Sequence, residues 1–171
     1  MAARSADDLV REHELLRTDP QAYLELMNDR IRDNPADPIS YGDRHLAWVN
    51  LGRRDLALND LNAAIDLAPT NSGMYFSRGV VLRDLGRYVE AVADFDKAFS
   101  LDEEKRLGSF GSLFRADCHA RLGNEEAAVL DCADLPADHW TPGFMGLPGG
   151  SKEDVVAEFR RRAAAAREGQ Q

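Results

Sequence analysis

Cysteine is nearly absent from this chain of 171 residues, with only Cys118 and Cys132. Two thiols cannot build the disulfide framework of a small secreted domain, and both fall inside helical patterns. A reducing compartment is the simpler expectation. Positive charge is also scarce. The sequence has 21 Lys and Arg against 30 Asp and Glu, a formal charge of −9 with His neutral. That balance argues against a nucleic-acid partner, because phosphate binding needs a basic footprint. Long apolar runs are missing as well. None approaches the roughly 18 residues of a membrane span, and the segment 1–17 is too polar for a signal peptide. The expected place is the cytoplasm, with no membrane partner. No phosphate loop, GxSxG elbow or paired-carboxylate site is recognisable. The sequence therefore predicts no enzyme, no catalytic residue, no cofactor and no metal.

What the chain does have is repetition. Leu51-Gly52 recurs as Leu85-Gly86 and Leu122-Gly123, at intervals of 34 and then 37 residues. Arg44, Arg78 and Arg115 keep those intervals, as do Ala57, Ala91 and Ala128, and Asp60, Asp94 and Asp131. Several residue classes in one register signal a solenoid. Each unit reads as an apolar helix, a Leu-Gly turn and a second helix. Met74, Tyr75, Val81, Leu82 and Leu85 recur at roughly helical spacing, and Gly86 then supplies a stop that tolerates φ > 0. Tyr88, Ala91, Val92, Phe95, Ala98 and Phe99 share one face of the second helix. One such hairpin cannot bury its apolar faces alone; stacked hairpins bury them jointly.

The pattern resembles the tetratricopeptide repeat family. The segment 75–102 carries the family's Tyr75, Gly79, Leu82, Gly86, Tyr88, Ala91, Phe95 and Ala98. The unit 38–71 matches at Tyr41, Trp48, Gly52, Ala57, Leu61, Ala64 and Pro69, and departs at His45, where the family prefers Gly or Ala. The third unit keeps Ala116, Gly123 and Ala128 and departs at Ser112, His119 and Cys132, and its second helix is expected to stop early, at Pro136. The resemblance implies an all-α, right-handed α-solenoid of antiparallel helix hairpins. About three units are expected, with flanking N-terminal helices and a C-terminal capping helix.

The corresponding divisions are 1–37 for N-terminal helices that look like a degenerate leading repeat, 38–71 for the first unit, and 72–108 for the second with a three-residue longer connection. Residues 109–135 form a truncated third unit, 136–150 an aromatic Pro/Gly loop, and 151–171 the capping helix and tail. Asp19-Pro20 predicts a helix start, with Tyr23, Leu24, Met27 and Ile31 as its apolar stripe. Arg30 stands where a small apolar residue is expected. Ser151 with Asp154 resembles a capping box, and the arginines that close the last helix suit its dipole.

Two polar groupings invite chemistry. Arg44/Asp60, Arg78/Asp94 and Arg115/Asp131 each span a hairpin, and once-per-unit recurrence reads as structural bracketing. Cys118, His119 and Cys132 could meet in the third hairpin as a metal or thiol site. They lack metal-ligand spacing, and a free Cys is commonly a small buried apolar group. His139 sits beside Trp140 in the loop and reads as a packing residue.

For function, the resemblance implies a non-catalytic protein–protein interaction module, an adaptor or assembly scaffold. In the family, the first helix of each unit lines a groove. The groove positions map to Ile39, Leu46 and Val49, then Phe76, Val80 and Arg83, then Phe110, Leu113 and Arg121, with Asp117 among them. They predict an apolar groove for a peptide or helix of a partner, with Arg83 and Arg121 at its edge. The Lys and Asn set with which chaperone-binding members hold a terminal carboxylate is not present. Two alternatives compete. One is a self-assembling structural protein, a homo-oligomer whose groove is covered by its own 136–171 segment. The other is a metal or thiol enzyme at Cys118, His119 and Cys132.

Overall fold

The computed structural model describes residues 5–102, 107–143 and 145–169. They form helices α1 (Ala6–Thr18), α2 (Pro20–Asp33), α3 (Pro38–Asn50), α4 (Arg54–Leu67), α5 (Ser72–Asp84), α6 (Tyr88–Leu101), α7 (Gly108–Arg121), α8 (Glu125–Leu130) and α9 (Lys152–Glu168). The helices are joined as antiparallel hairpins, which is the fold class that the repeat implies.

Local chemistry sets the boundaries. Asp19 accepts the amide of Ala22 with Pro20 in the first turn of α2, and Asp37 accepts the amides of Ile39 and Ser40 beside Pro38. A Pro there sacrifices only an amide that no helix would have used. The three Leu-Gly pairs end helices in one way. Gly52, Gly86 and Gly123 have φ of 72°, 75° and 79°. The amides of Arg53, Arg87 and Asn124 reach back five residues to the carbonyls of Trp48, Leu82 and His119. Those of Gly52, Gly86 and Gly123 reach back three, to Val49, Arg83 and Ala120. This is the Schellman closure, and its left-handed residue explains why Gly recurs.

The chain forms two compact units, residues 1–81 and 82–171. In the first, α1 packs on α2, α2 on α3 and α3 on α4. Tyr23, Leu24, Met27 and Ala47 make one core with Leu15, Leu16, Leu26 and Trp48 around it. Ala57, Leu61 and Val81 make a second with Trp48, Val49, Leu58 and Met74. A Cβ on Gly42 would lie 2.4 Å from the flexible end of the Met74 side chain, which would have to shift to admit it. The misfit expected at Arg30 is resolved by a charge. Arg30 makes a two-pronged pair with Glu12, which is buried on α1.

The repeated arginines link successive hairpins. Arg44 donates Nε and Nη2 to Asp60 on α4 at 2.8 and 2.6 Å, and Nη1 to Asn28 on α2 at 2.8 Å. Arg78 on α5 makes the second contact again, Nη1 to Asn62 at 2.8 Å. In the other unit, Arg115 holds Asp131 with Nη2 at 2.5 Å and Asp96 on α6 with Nη1 at 2.5 Å. Asn28, Asn62 and Asp96 follow one another at 34 residues, a further repeat class. The separation from Arg to this acceptor is 16, 16 and then 19 residues, so the longer connection before α7 is absorbed without loss of the contact.

In the second unit α7 is central, packed by α6, α8 and α9. Phe95 and Phe114 meet at 6.3 Å between ring centres, and Val155, Phe159 and Ala163 bury one face of α9. Ser151 and Asp154 form the expected capping box at its start. One expectation needs correction. The regular part of α8 ends at Leu130, well before Pro136. There the chain tightens into three-residue turns, and the Lys152 ammonium takes the freed carbonyls of Ala133 and Leu135, each at 2.8 Å. The 136–150 loop contains a short pairing of its own. Trp140–Thr141 pairs antiparallel with Gly150–Ser151, leaving Trp140 69% exposed while Leu147 is buried.

Candidate functional site

The residues expected to line a groove divide sharply by accessibility. On α3, Ile39 and Leu46 are 38% and 39% exposed. They lie seven residues apart, which puts them on one stripe of a helix. Val49 is half-buried on the same stripe, and so are Phe76 and Val80 on α5. The opposite side of α3 is fixed by Ala47 in the core and by Arg44 on Asp60 and Asn28. His45, the departure from the family pattern, is buried, and its Nδ1 contacts the carbonyl of Gly42 within its own helix. Burial holds its pKa below the usual imidazole value, opposed by that backbone contact.

The positions in the second unit are different. Leu113 is completely buried and Arg83 is 6% exposed. Neither is the open groove residue that the sequence suggests. The side chain of Phe110 lies outside the described residues. Arg121 remains partly exposed and stacks over Tyr88 at 5.6 Å. At Arg83 the chain's own C-terminal segment supplies part of the cover. Asp117 on α7, fully buried, receives three guanidinium groups. Arg83 Nε lies 2.9 Å away, Arg121 Nε lies 3.1 Å away, and Arg162 reaches it from α9. Arg83 Nη2 also donates to the carbonyl of Met145, and Arg162 Nη1 donates to that of Gly146 at 3.0 Å. The turn at 145–147 thus sits directly on the cluster, with Leu147 buried beside it. Sequence reading located Arg83 and Arg121 but not Arg162. An arginine in the middle of an Arg-rich helix gives no local sign of a buried partner 45 residues away.

The thiol grouping does not form a reactive centre. Cys118 and Cys132 are free and buried. Burial pushes their pKa up to about 12 and about 11. The nucleophile is the thiolate, so both groups are held in the inert form. Cys132 Sγ donates to the Ala128 carbonyl, and His119 Nε2 lies 4.0 Å from Asp131. Among the described residues no three His, Cys, Asp or Glu side chains gather as metal ligands. No helix there is long and apolar enough to cross a membrane.

A family model described as tetratricopeptide repeat matches residues 72–105. DnaJ homolog subfamily C member 7 from Mus musculus is 32% identical over 130 residues, 75% of this chain and 23% of the relative. Small glutamine-rich tetratricopeptide repeat-containing protein 2 from Mycosarcoma maydis is 29% identical over 86 residues, 50% of this chain and 24% of that protein. The chain spans 20% to 40% of the length of the curated relatives it matches first. Among solved structures, MamA from Desulfovibrio magneticus superposes with a TM-score of 0.68 at 18% identity, covering 99% of both chains. That likeness concerns the fold.

Proposed function

Since this chain belongs to the tetratricopeptide repeat family, we propose that it is a non-catalytic adaptor that binds a segment of a partner protein. The binding surface is the outward stripe of α3 with the half-buried apolar side chains of α5. The observation that carries this reading is the pair Ile39 and Leu46, each more than a third exposed on a helix whose other side is pinned. Aligned apolar side chains held out on a rigid helix suit the apolar face of a partner's helix or strand. Two buried, unreactive thiols suit a reducing compartment such as the cytoplasm.

The test is photo-crosslinking from a benzophenone amino acid placed at Asn50, in wild-type background and in Ile39→Ser/Leu46→Glu. Both substituted side chains are exposed, so the helical spectrum is expected to persist. A crosslinked protein present with the wild type and lost with the folded variant supports the reading. An identical crosslinking pattern in both backgrounds refutes it.

A further inference from the structure

We propose that the arginine cluster on Asp117 is a binding site for an acidic side chain on an extended segment of a partner protein. The turn at 145–147 is its resident, displaceable occupant. The inference rests on the reading of the chain as a protein-binding module and adds a second site to it.

Asp117 accepts from Arg83, Arg121 and Arg162 together. Glu158 takes Arg162 Nε at 2.8 Å and also pairs with Arg161, and Asp84 stands 3.9 Å from Arg83 Nη1. The donors that face the turn find no charge there. Arg83 Nη2 ends on the Met145 carbonyl, and Arg162 Nη1, besides its bond to Asp117 Oδ1, donates to the Gly146 carbonyl; both carbonyls are neutral main-chain oxygens. Arg83 Nη1, on a side chain only 5% exposed, has no hydrogen-bond partner among the described residues. Buried guanidinium donors are normally satisfied, so the donor set of Arg83 is left incomplete by its present neighbours. A carboxylate in place of the two carbonyls would set a full negative charge against the same donors and could take them two-pronged, where the carbonyls offer neutral oxygens.

The occupant is built to leave. It is bracketed by Pro142-Gly143 on one side and Pro148-Gly149-Gly150 on the other, and Gly143 and Gly150 have φ of 72° and 110°. Met145 is held at φ 49°, the left-handed region that side chains other than Gly avoid, and its own side chain is 52% exposed. Met145 meets the cluster through its carbonyl. Gly146, at φ 76°, passes so close that a Cβ would lie 3.2 Å from Arg83 Nη2. A side chain there strains the turn at its left-handed φ and crowds Arg83 Nη2, which loosens the occupant while all three guanidinium groups are kept.

The test uses the full chain, with acetyl-(Gly-Glu)4-amide and acetyl-(Gly-Gln)4-amide as fluorescent probes. Three proteins are compared: wild type, Gly146→Ala and Gly146→Ala/Arg162→Gln. Circular dichroism checks that each is folded. The Glu peptide is expected to bind Gly146→Ala at least about fivefold more tightly than wild type, and the Gln peptide not to gain. Arg162→Gln is expected to abolish the gain. Equal binding of the two peptides, no gain on Gly146→Ala, or a gain that survives Arg162→Gln each overturns the proposal; the last would put the acid on the exposed arginines of α9. Failure here leaves crosslinking at α3 untouched, and loss of that crosslinking leaves this titration untouched.

Discussion

Replacing Asp117 by Ala is the sharpest test of how the second unit is held together. The carboxylate is completely buried, and its three guanidinium partners come from α5, α7 and α9. Removing it leaves Arg83, itself 6% exposed, with a buried charge and no carboxylate at hydrogen-bonding distance. Breaking a buried ion pair from one side costs about 3–5 kcal/mol. A domain of this size is stable by only about 5–15 kcal/mol. With a urea dependence of about 2 kcal/mol per molar, the midpoint should fall by about 1.5–2.5 M. The assay is urea unfolding followed by circular dichroism at 222 nm, with Glu14→Ala as control. Glu14 pairs with Arg17, but both side chains are more than half exposed, and its removal should move the midpoint negligibly. If Asp117→Ala shifted the midpoint no more than the control, the cluster would not be a structural tie between α5, α7 and α9, and the reasoning from burial would fail.

Two further outcomes follow from perturbed titrations. The pKa of His45 is lowered by burial, and that of His119 chiefly by desolvation. The unfolded chain therefore takes up protons at a higher pH than the folded one. Stability should be full above about pH 6.5 and decline as pH falls below it, until the folded histidines are also protonated. Urea midpoints at several pH values should show this decline, and a stable His45→Gln variant should show less of it; an unchanged slope would mean that His45 is not a buried neutral group. The thiols should resist modification by a disulfide reagent at pH 8 in the folded protein and react at once in urea. At a pKa of about 12, Cys118 would be thiolate in only about one molecule in ten thousand. Rapid labelling of the folded chain would revive the thiol-enzyme alternative.

Much of this fold is written in the sequence because its signals are local. A Gly recurring after Leu marks a left-handed helix end, since only Gly adopts that conformation without strain. The sequence also contains the arginine ladder, but only as a rhythm. Arg44 and Asp60 keep a 16-residue spacing, yet the other acceptor of Arg44, Asn28, belongs to a position that reads as Asn, Asn and Asp and is easily passed over. Arg30 is a similar case. It looked like a flaw in the leading repeat, and its partner Glu12 lies on a different helix.

What the tertiary structure alone decided is accessibility. The sequence placed Leu46 and Leu113 in one groove, because each lies on the first helix of its unit. In the folded chain Leu46 is 39% exposed and Leu113 is fully buried. Around Arg83 and Asp117, groove positions of the same face, the cover comes from the far end of the chain, where Arg162 and the carbonyls of Met145 and Gly146 close on them. Periodicity reports which face of a helix a side chain is on, because that depends on residues three and four away. Whether the face is open or covered depends on a segment tens of residues distant, brought there by buried charge and packing that leave no periodic trace.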